Sequence, residues 1–114
     1  MMKKIECIIR PTKLEDLVAE VEKVGISGLN ITEIAGYGQQ KGKQEIYRGV
    51  EYEVKLKEKL KVEMVVQSDK VDELIDVITD SSRTGNVGDG KIFVYGIDKV
   101  VRIRTGEEDE ETFK

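Results

Sequence analysis

The stretch with the clearest chemical potential runs from Thr84 to Lys91 and reads Thr-Gly-Asn-Val-Gly-Asp-Gly-Lys. Glycine reaches positive φ at no steric cost and lets the backbone approach a ligand closely. Backbone N–H groups exposed in such a turn form a concave anion site, and Lys91 adds a positive charge. We therefore interpret this glycine loop, residues 83–91, as a phosphate cradle. The alternative is that its glycines only turn the chain.

The glycine loop matches neither of the two common nucleotide-binding motifs. Ile92 follows the lysine, where a Walker loop needs Ser or Thr to hold the metal ion. A Rossmann turn leads from a strand into a helix. Here the apolar run from Ile92 to Ile97 follows the glycines, so the order is helix, loop, strand.

Two arginines near the end of the chain form a second candidate anion site. Arg102 and Arg104 alternate with Val101 and Ile103, which predicts a short extra strand. Residues two apart in a strand share a face and lie about 7 Å apart. The two guanidinium groups are then either solvated or facing an anion. The acidic tail that follows, residues 106–114, is expected to be mobile.

Composition narrows the function further. The chain has 114 residues, of which 39% are hydrophobic and 37% charged, with a net charge of −4. This length suits one domain, and the negative charge argues against general nucleic-acid binding. The sequence contains no histidine, which removes the commonest general base and metal ligand. The single Cys7 excludes an internal disulfide and is interpreted as a buried structural thiol.

No apolar run is long enough to span a bilayer. The basic start of the chain resembles that of a signal peptide, but Glu6 and Arg10 interrupt the apolar core that a signal peptide requires. We therefore expect a cytoplasmic protein without direct membrane insertion.

Hydrophobic periodicity predicts the elements that position these residues. Alternation predicts strands over 3–10, 26–34, 60–66 and 92–97. Apolar residues at helical spacing predict one helix from a Thr12–Glu15 capping box to Gly25. They predict a second helix from a cap at Ser68 or Asp69 to Ser82.

Between the second and third strands lies a polar segment, residues 38–58. A loop of this length is rare in a small domain and is usually functional. The alternative is a charged β-hairpin that extends from the sheet.

This order of elements is βαββαβ, the ferredoxin-like α+β arrangement, in a single domain. Both helices then cover one face of an antiparallel sheet and leave the other face open. Self-association is the simplest way to cover the open face.

Four separated stretches carry a family resemblance: Gly36 to Gly42, Tyr47 to Tyr52, Thr84 to Val94 closing on Asp98, and Arg102 to Glu107. In this order, they resemble the PII nitrogen-regulatory signal-transduction proteins over nearly the whole chain. In that family the long segment is called the T-loop. The resemblance implies a homotrimer that senses ATP, ADP and 2-oxoglutarate and regulates partners without catalysing a reaction.

The resemblance also implies roles for individual residues. Phosphates would be held at a cleft between subunits by Gly88, Asp89, Gly90 and Lys91, with charge from Arg102 and Arg104. Around the nucleotide would lie Gly36, Gly38, Glu63, Val65 and Thr84. Gln40 would help to ligate Mg²⁺, and Lys59 would pair with a carboxylate of 2-oxoglutarate.

The resemblance implies that partner proteins bind to the T-loop. Tyr47, Arg48 and Tyr52 would contact partner proteins, among them an ammonium transporter and nitrogen-metabolism enzymes or regulators. Such a transporter would recruit the protein to the membrane. Tyr52 is the implied modification site. The sequence departs from the family pattern at Asn30, Gln39, Val50 and Lys57, which affects the expected nucleotide affinity and partner more than the fold.

Two rival functions remain. One is a small kinase or nucleotide hydrolase of the same fold, which would need a catalytic base near the phosphates. Asp89 is the only acid inside the glycine loop, and its position is better explained by turn chemistry. The other rival is a PII-like sensor of a different metabolite, such as bicarbonate or a cyclic nucleotide. Gln40 together with Lys59 argues against it.

Overall fold

The computed structural model describes residues 1–26, 28–37, 46–47, 50–51 and 56–113, with 46–47 and 50–51 described by their backbone alone. Its strands and α-helices, in chain order, are β1 (Met2–Ile9), α1 (Leu14–Val24), β2 (Asn30–Gly36), β3 (Ile46–Tyr47), β4 (Val50–Glu51), β5 (Lys57–Gln67), α2 (Val71–Ser82) and β6 (Lys91–Ile97). Short 3-10 helices cover Pro11–Lys13, Ser68–Lys70 and Asp109–Phe113.

Four strands form one antiparallel sheet in the order β2-β5-β1-β6. Ile5 pairs with Met64 and Cys7 with Val62, so apolar residues of β1 and β5 share one face. All four of these side chains are buried. A register slip of one residue would turn them to the opposite face. The sheet and its two helices confirm the predicted ferredoxin-like α+β fold.

The core lies between this sheet face and the two helices. Leu17 and Val21 of α1, with Leu74 and Ile78 of α2, are buried against it. Cys7 lies in the same cluster, and burial raises the pKa of its thiol to about 11. The Cys7 side chain is fully buried, which confirms its interpretation as a structural thiol.

Both helices begin differently from the predicted capping pattern. Thr12 does not cap α1, because Pro11–Lys13 forms a 3-10 turn and α1 begins at Leu14 without a side-chain cap bond. Ser68–Lys70 likewise forms a 3-10 turn before α2, so neither Ser68 nor Asp69 is its cap. Proline favours the first position of such a turn because its φ is fixed near the helical value.

Gly25 ends α1 as predicted, with a φ of 99°. The N–H groups of Gly25 and Ile26 bond to carbonyls of α1, as in a Schellman-type cap. Because Ile26 is engaged in that cap, β2 starts at Asn30 rather than at the predicted Ile26.

Within the polar segment 38–58, β3 and β4 pair as two short antiparallel strands, with Ile46 opposite Glu51 and Tyr47 opposite Val50. This corresponds to the hairpin alternative over part of the segment. The predicted site residues Gly38, Gln40, Arg48 and Tyr52 lie outside the described residues.

The predicted extra strand near the end of the chain is reduced to one bridge, between Val101 and Glu108. Residues 103–105 form a turn, closed by a 2.7 Å bond from the Gly106 N–H to the Arg102 carbonyl. The acidic tail is held rather than free. The Val100 N–H donates to Asp109 Oδ1 at 3.1 Å, and Lys99 pairs with Glu108 at 3.1 Å.

The second face of the sheet is uncovered by the described residues of this chain. Phe93 and Tyr95 of β6 are 41% and 44% exposed there. Lys4 pairs with Glu63 and lies 5.5 Å from the centroid of the Tyr95 ring. Exposed aromatic side chains of this kind are enriched at protein–protein interfaces. Neither described helix is long enough or apolar enough to cross a membrane.

Candidate functional site

The candidate site lies at one edge of the sheet. Because the strands are antiparallel, the ends of β1 and β2 meet the beginnings of β5 and β6 at this edge. Ile9 pairs with Leu60, and Ile8 pairs with both Lys61 and Lys91. This register brings Arg10, just past β1, and Lys59 of β5 to the glycine loop that precedes β6.

The carboxylate of Asp89 occupies the centre of the glycine loop. It accepts hydrogen bonds from the backbone N–H groups of Thr84 and Gly85, each at 2.8 Å, and from the Thr84 hydroxyl. The Arg10 Nε–H adds a fourth bond, at 3.0 Å. This confirms that Asp89 serves turn chemistry. Two amides that a phosphate cradle would use are therefore engaged by the protein's own carboxylate.

These bonds hold the pKa of Asp89 well below its usual range, with the Thr84 hydroxyl as the largest cause, followed by the Thr84 backbone N–H. A carboxyl group whose pKa is lowered in the folded state stabilises that state above the pKa it has when unfolded. The stabilisation is lost as the pH falls through the folded pKa. The loop is therefore held by a charged group throughout the neutral range.

Two cations meet at Gly88. Arg10 Nη2 donates to the Val87 carbonyl at 2.9 Å, and Lys59 Nζ donates to the Gly88 carbonyl. A Cβ atom at Gly88 would lie 3.2 Å from Arg10 Nη2 and 3.5 Å from Lys59 Nζ. Burial lowers the pKa of Lys59, and the neighbouring charge of Arg10 lowers it further. A surface that concentrates positive charge in this way can hold an anion.

Arg10 is the residue that the sequence interpretation missed as part of this site. It contacts Asp89, which is 79 positions away in the chain. The available signal was a cation at the end of a predicted strand, immediately before Pro11. That signal fixes its place at a sheet edge but does not identify its partner.

Gly36 lies beside Lys59 at the same edge. A Cβ atom on Gly36 would lie 3.0 Å from Lys59 Cγ and 3.6 Å from the Lys57 carbonyl oxygen. The absence of a side chain at Gly36 lets the Lys59 stem lie across β2. The structure thus brings together Gly36, Lys59, Gly88 and Asp89 from the predicted set.

Two other predicted residues lie apart from the loop within one chain. Glu63 is four positions beyond Lys59 on β5, about 13 Å along the strand. It pairs with Lys4 on the open face, where Val65 is also exposed. Thr84 and Lys91 lie in or next to the loop, and the side chain of Lys91 is exposed.

The arginine pair differs from its predicted arrangement because the extra strand does not form. Arg102 donates to Glu107 at 2.7 Å and to the Thr112 carbonyl at 2.6 Å, both in the tail that follows the turn. Arg104 lies in the turn and is exposed. The prediction that both arginines share one strand face is therefore wrong. The turn redirects Arg102 toward the acidic tail.

The described residues contain no cluster of three or more His, Cys, Asp or Glu side chains that could hold a metal ion. The predicted Mg²⁺ ligand Gln40 lies outside these residues, as do Gly38, Arg48 and Tyr52. Tyr47 is described only as part of the backbone of β3.

Comparison with known proteins gives consistent results over nearly the whole chain. The family model described as "Nitrogen regulatory protein P-II" matches residues 2–107. A nitrogen regulatory protein P-II of Pasteurella multocida is 52% identical over 110 residues, covering 96% of this chain and 98% of that protein. Nitrogen regulatory protein P-II 1 of Escherichia coli K12 is 51% identical over 109 residues, covering 96% and 97%.

Among solved structures, the chain is similar to PII of Arabidopsis thaliana, crystallised bound to citrate. The TM-score is 0.80 and the sequence identity 34%, and the match covers 96% of this chain and 90% of that chain.

The glycine loop generates a prediction about two of its glycines, both of which have positive φ. At Gly90 (φ 95°) a Cβ atom would lie 1.7 Å from the Ile8 carbonyl oxygen, whereas at Gly85 (φ 85°) it would meet nothing within 4 Å. Gly90→Ala should lower the free energy of unfolding by about 3 kcal/mol or more, because the backbone must shift as well as adopt a strained φ. The matched control Gly85→Ala should cost only about 1 kcal/mol. Equal losses in a urea titration of the two variants would contradict the close packing of the loop on β1.

Proposed function

The chain belongs to the nitrogen regulatory protein P-II family, and we propose that it senses ATP or ADP together with 2-oxoglutarate. The bound effectors then determine which partner proteins the T-loop contacts. The observation that carries this proposal is the convergence of Arg10 and Lys59 on Gly88, where Arg10 also bonds to the Asp89 carboxylate.

The positive charge at Gly88 suits a small anion. Lys59 is a compact point charge on a flexible stem, and it can exchange one acceptor for another. A carboxylate of 2-oxoglutarate is a stronger acceptor for this ammonium group than the Gly88 carbonyl, because the resulting hydrogen bond is assisted by charge on both sides. The citrate bound to the Arabidopsis relative supports a carboxylate effector in a protein of this fold.

The nucleotide site requires more than one chain in this proposal. Gly88, Gly90 and Lys91 would contact its phosphates, whereas Glu63 and Val65 lie on the open sheet face, well along β5 from the loop. In this proposal the two sets belong to different subunits, with the open face of one subunit adjoining the loop of the next. A homotrimer with its open faces turned inward gives that arrangement. Arg102 and Arg104 add positive charge on the segment that follows β6.

The described residues are compatible with a Mg²⁺ ion that is bound mainly through the nucleotide. They contain no cluster of carboxylates that could hold the ion, and Mg²⁺ often binds through substrate phosphates with few protein ligands. The ion would therefore enter with the nucleotide, with Gln40 as its protein ligand, and would supply positive charge for a carboxylate of the effector.

The output that we propose is regulatory. The Asp89 carboxylate is engaged by Thr84, Gly85 and Arg10, so it is unsuited to act as the catalytic base of a hydrolase. Tyr47, Arg48 and Tyr52 of the T-loop would contact partners, and Tyr52 would carry any covalent modification. An ammonium transporter is the leading partner. Such a protein would act in the cytoplasm and reach the membrane only through the transporter.

Substitution of Lys59 tests the proposed function. Lys59→Ala should weaken 2-oxoglutarate binding by tenfold or more, because a charge-assisted bond contributes roughly 1.5–3 kcal/mol. Affinity for Mg-ATP should change by no more than about threefold, which is under 1 kcal/mol. Titration calorimetry with each ligand, in the presence of Mg²⁺, measures both effects.

The matched control is Lys61→Ala, which removes the same charge from the next position on the same face of β5. It should leave both affinities near those of the wild type. If the wild-type protein binds neither ligand, the proposal fails. Equal losses in the two lysine variants would show that general charge, rather than the Gly88 site, attracts the dicarboxylate.

The oligomeric state is a separate prediction. Light scattering at micromolar concentration should give three times the chain mass of 12.9 kDa, because the open face carries exposed Phe93 and Tyr95 beside charged pairs. Phe93→Glu should shift the mass toward that of the single chain by placing an unpaired charge in the buried interface. A wild-type protein that stays monomeric would contradict the proposed shared nucleotide site.

A further inference from the structure

We infer that Arg10 is a positioning residue, which fixes the glycine loop on the end of β1 so that Lys59 can exchange the Gly88 carbonyl for an effector carboxylate. The functional part of this inference rests on the proposed sensing role. The structural part, that Arg10 holds the loop, stands on contacts within the chain.

Arg10 donates hydrogen bonds to two residues of the loop, one on each side of Gly88. Its Nε–H donates to Asp89 Oδ1 at 3.0 Å and its Nη2 donates to the Val87 carbonyl at 2.9 Å. The guanidinium is planar, so two bonds from one fork fix both the position and the direction of the loop. A lysine ammonium has the same charge but cannot span both acceptors in this geometry.

The backbone of Arg10 is fixed by hydrogen bonding and by its buried neighbour. Its carbonyl accepts a 3.0 Å bond from the Lys13 N–H, which closes the 3-10 turn beginning at Pro11. The preceding residue, Ile9, is paired with Leu60 and buried in the core. The fork therefore ties the loop to the end of β1, an inner strand of the sheet whose last residue is buried.

Lys59 and Arg10 then have different tasks. Lys59 bonds to the loop through the Gly88 carbonyl, and its side chain crosses over Gly36. The ammonium has three N–H donors, and a carboxylate that takes the one pointing at Gly88 displaces that carbonyl. Because Arg10 keeps Val87 and Asp89 in place, the loop can stay ordered when Lys59 lets go. Without Arg10, release of Lys59 would leave Val87 and Gly88 without either of these two side-chain bonds.

Arg10 also acts on Lys59 through charge. Its guanidinium disfavours the protonated ammonium and, after burial, is the second cause of the lowered pKa of Lys59. Removal of that charge should therefore raise the pKa of Lys59, whereas its retention as lysine should not. This separates the effect of the charge from the effect of the fork.

The experiment compares Arg10→Lys, which keeps the charge and loses the fork, with Arg10→Gln, which loses the charge. The control Lys23→Ala removes an exposed, remote cation of α1 that pairs with Glu20. Measurements on the full chain are the backbone amide NMR shifts of Val87 and Gly88, the pKa of Lys59 from its side-chain ¹³C shift, and calorimetric affinities for Mg-ATP and 2-oxoglutarate.

We expect both Arg10 variants to move the Val87 and Gly88 resonances and to weaken ligand binding by about tenfold. Only Arg10→Gln should raise the pKa of Lys59, and Lys23→Ala should change none of these quantities. If Arg10→Lys restores the wild-type resonances and affinities, charge alone suffices and the positioning role is refuted. Unmoved loop resonances in Arg10→Gln would refute it as well.

The loop resonances need no ligand, so they decide the role of Arg10 even if the wild-type protein binds neither effector. In that case the proposed function fails and the structural part of the inference is judged on its own. If the wild-type protein binds both effectors but the Arg10 variants bind equally well, the proposed function survives and this inference does not.

Discussion

The bond network around the Asp89 carboxylate is the interaction on which the site depends. Loops rich in glycine lose much conformational entropy when they become ordered. Gly85, Gly88 and Gly90 all adopt positive φ here, and local backbone bonds alone do not fix such a path. The Asp89 carboxylate offsets this loss of entropy by accepting hydrogen bonds from two backbone amides, one hydroxyl and one guanidinium. A charged acceptor strengthens each of these bonds.

The register of the sheet determines where that network forms. Arg10 reaches Asp89 because β1 lies between β5 and β6, with Ile8 opposite both Lys61 and Lys91. Lys59 reaches Gly88 from the neighbouring strand for the same reason. The buried faces of β1 and β5 fix this register, since a slip of one residue would expose Ile5, Cys7 and Val62. Core packing therefore determines, through strand alignment, which side chains meet at the candidate site.

Much of this fold could be predicted from the sequence because its signals are local. Alternation at Leu60, Val62 and Met64 marks a strand with one buried face, and apolar spacing marks both helices. The glycine loop and the structural role of Asp89 also follow from residue types at short range. Helix starts were less predictable, because 3-10 turns at Pro11 and Ser68 replaced the expected caps.

The contacts that sequence reasoning missed join distant residues. Arg10 and Asp89 are 79 positions apart, and no periodic pattern indicates that pairing. Arg102 alternates with apolar residues as a strand residue would, yet a turn closed by Gly106 directs it to Glu107. Lys4 of β1 pairs with Glu63 of the neighbouring strand β5. Predicting that pair requires the register of the two strands. In each case the missing information was tertiary geometry rather than chemistry.

The role of the Asp89 network is tested most directly by amide hydrogen exchange at Thr84 and Gly85 in the protein without nucleotide. Both amides donate to Asp89 in the structure, so we expect them to exchange more slowly than free peptide amides before any ligand is added. Addition of Mg-ATP should then change their protection little, because the loop is already formed. Exchange at the rate of an unstructured peptide without ligand, with protection gained only on nucleotide binding, would contradict a loop that the chain itself holds ready.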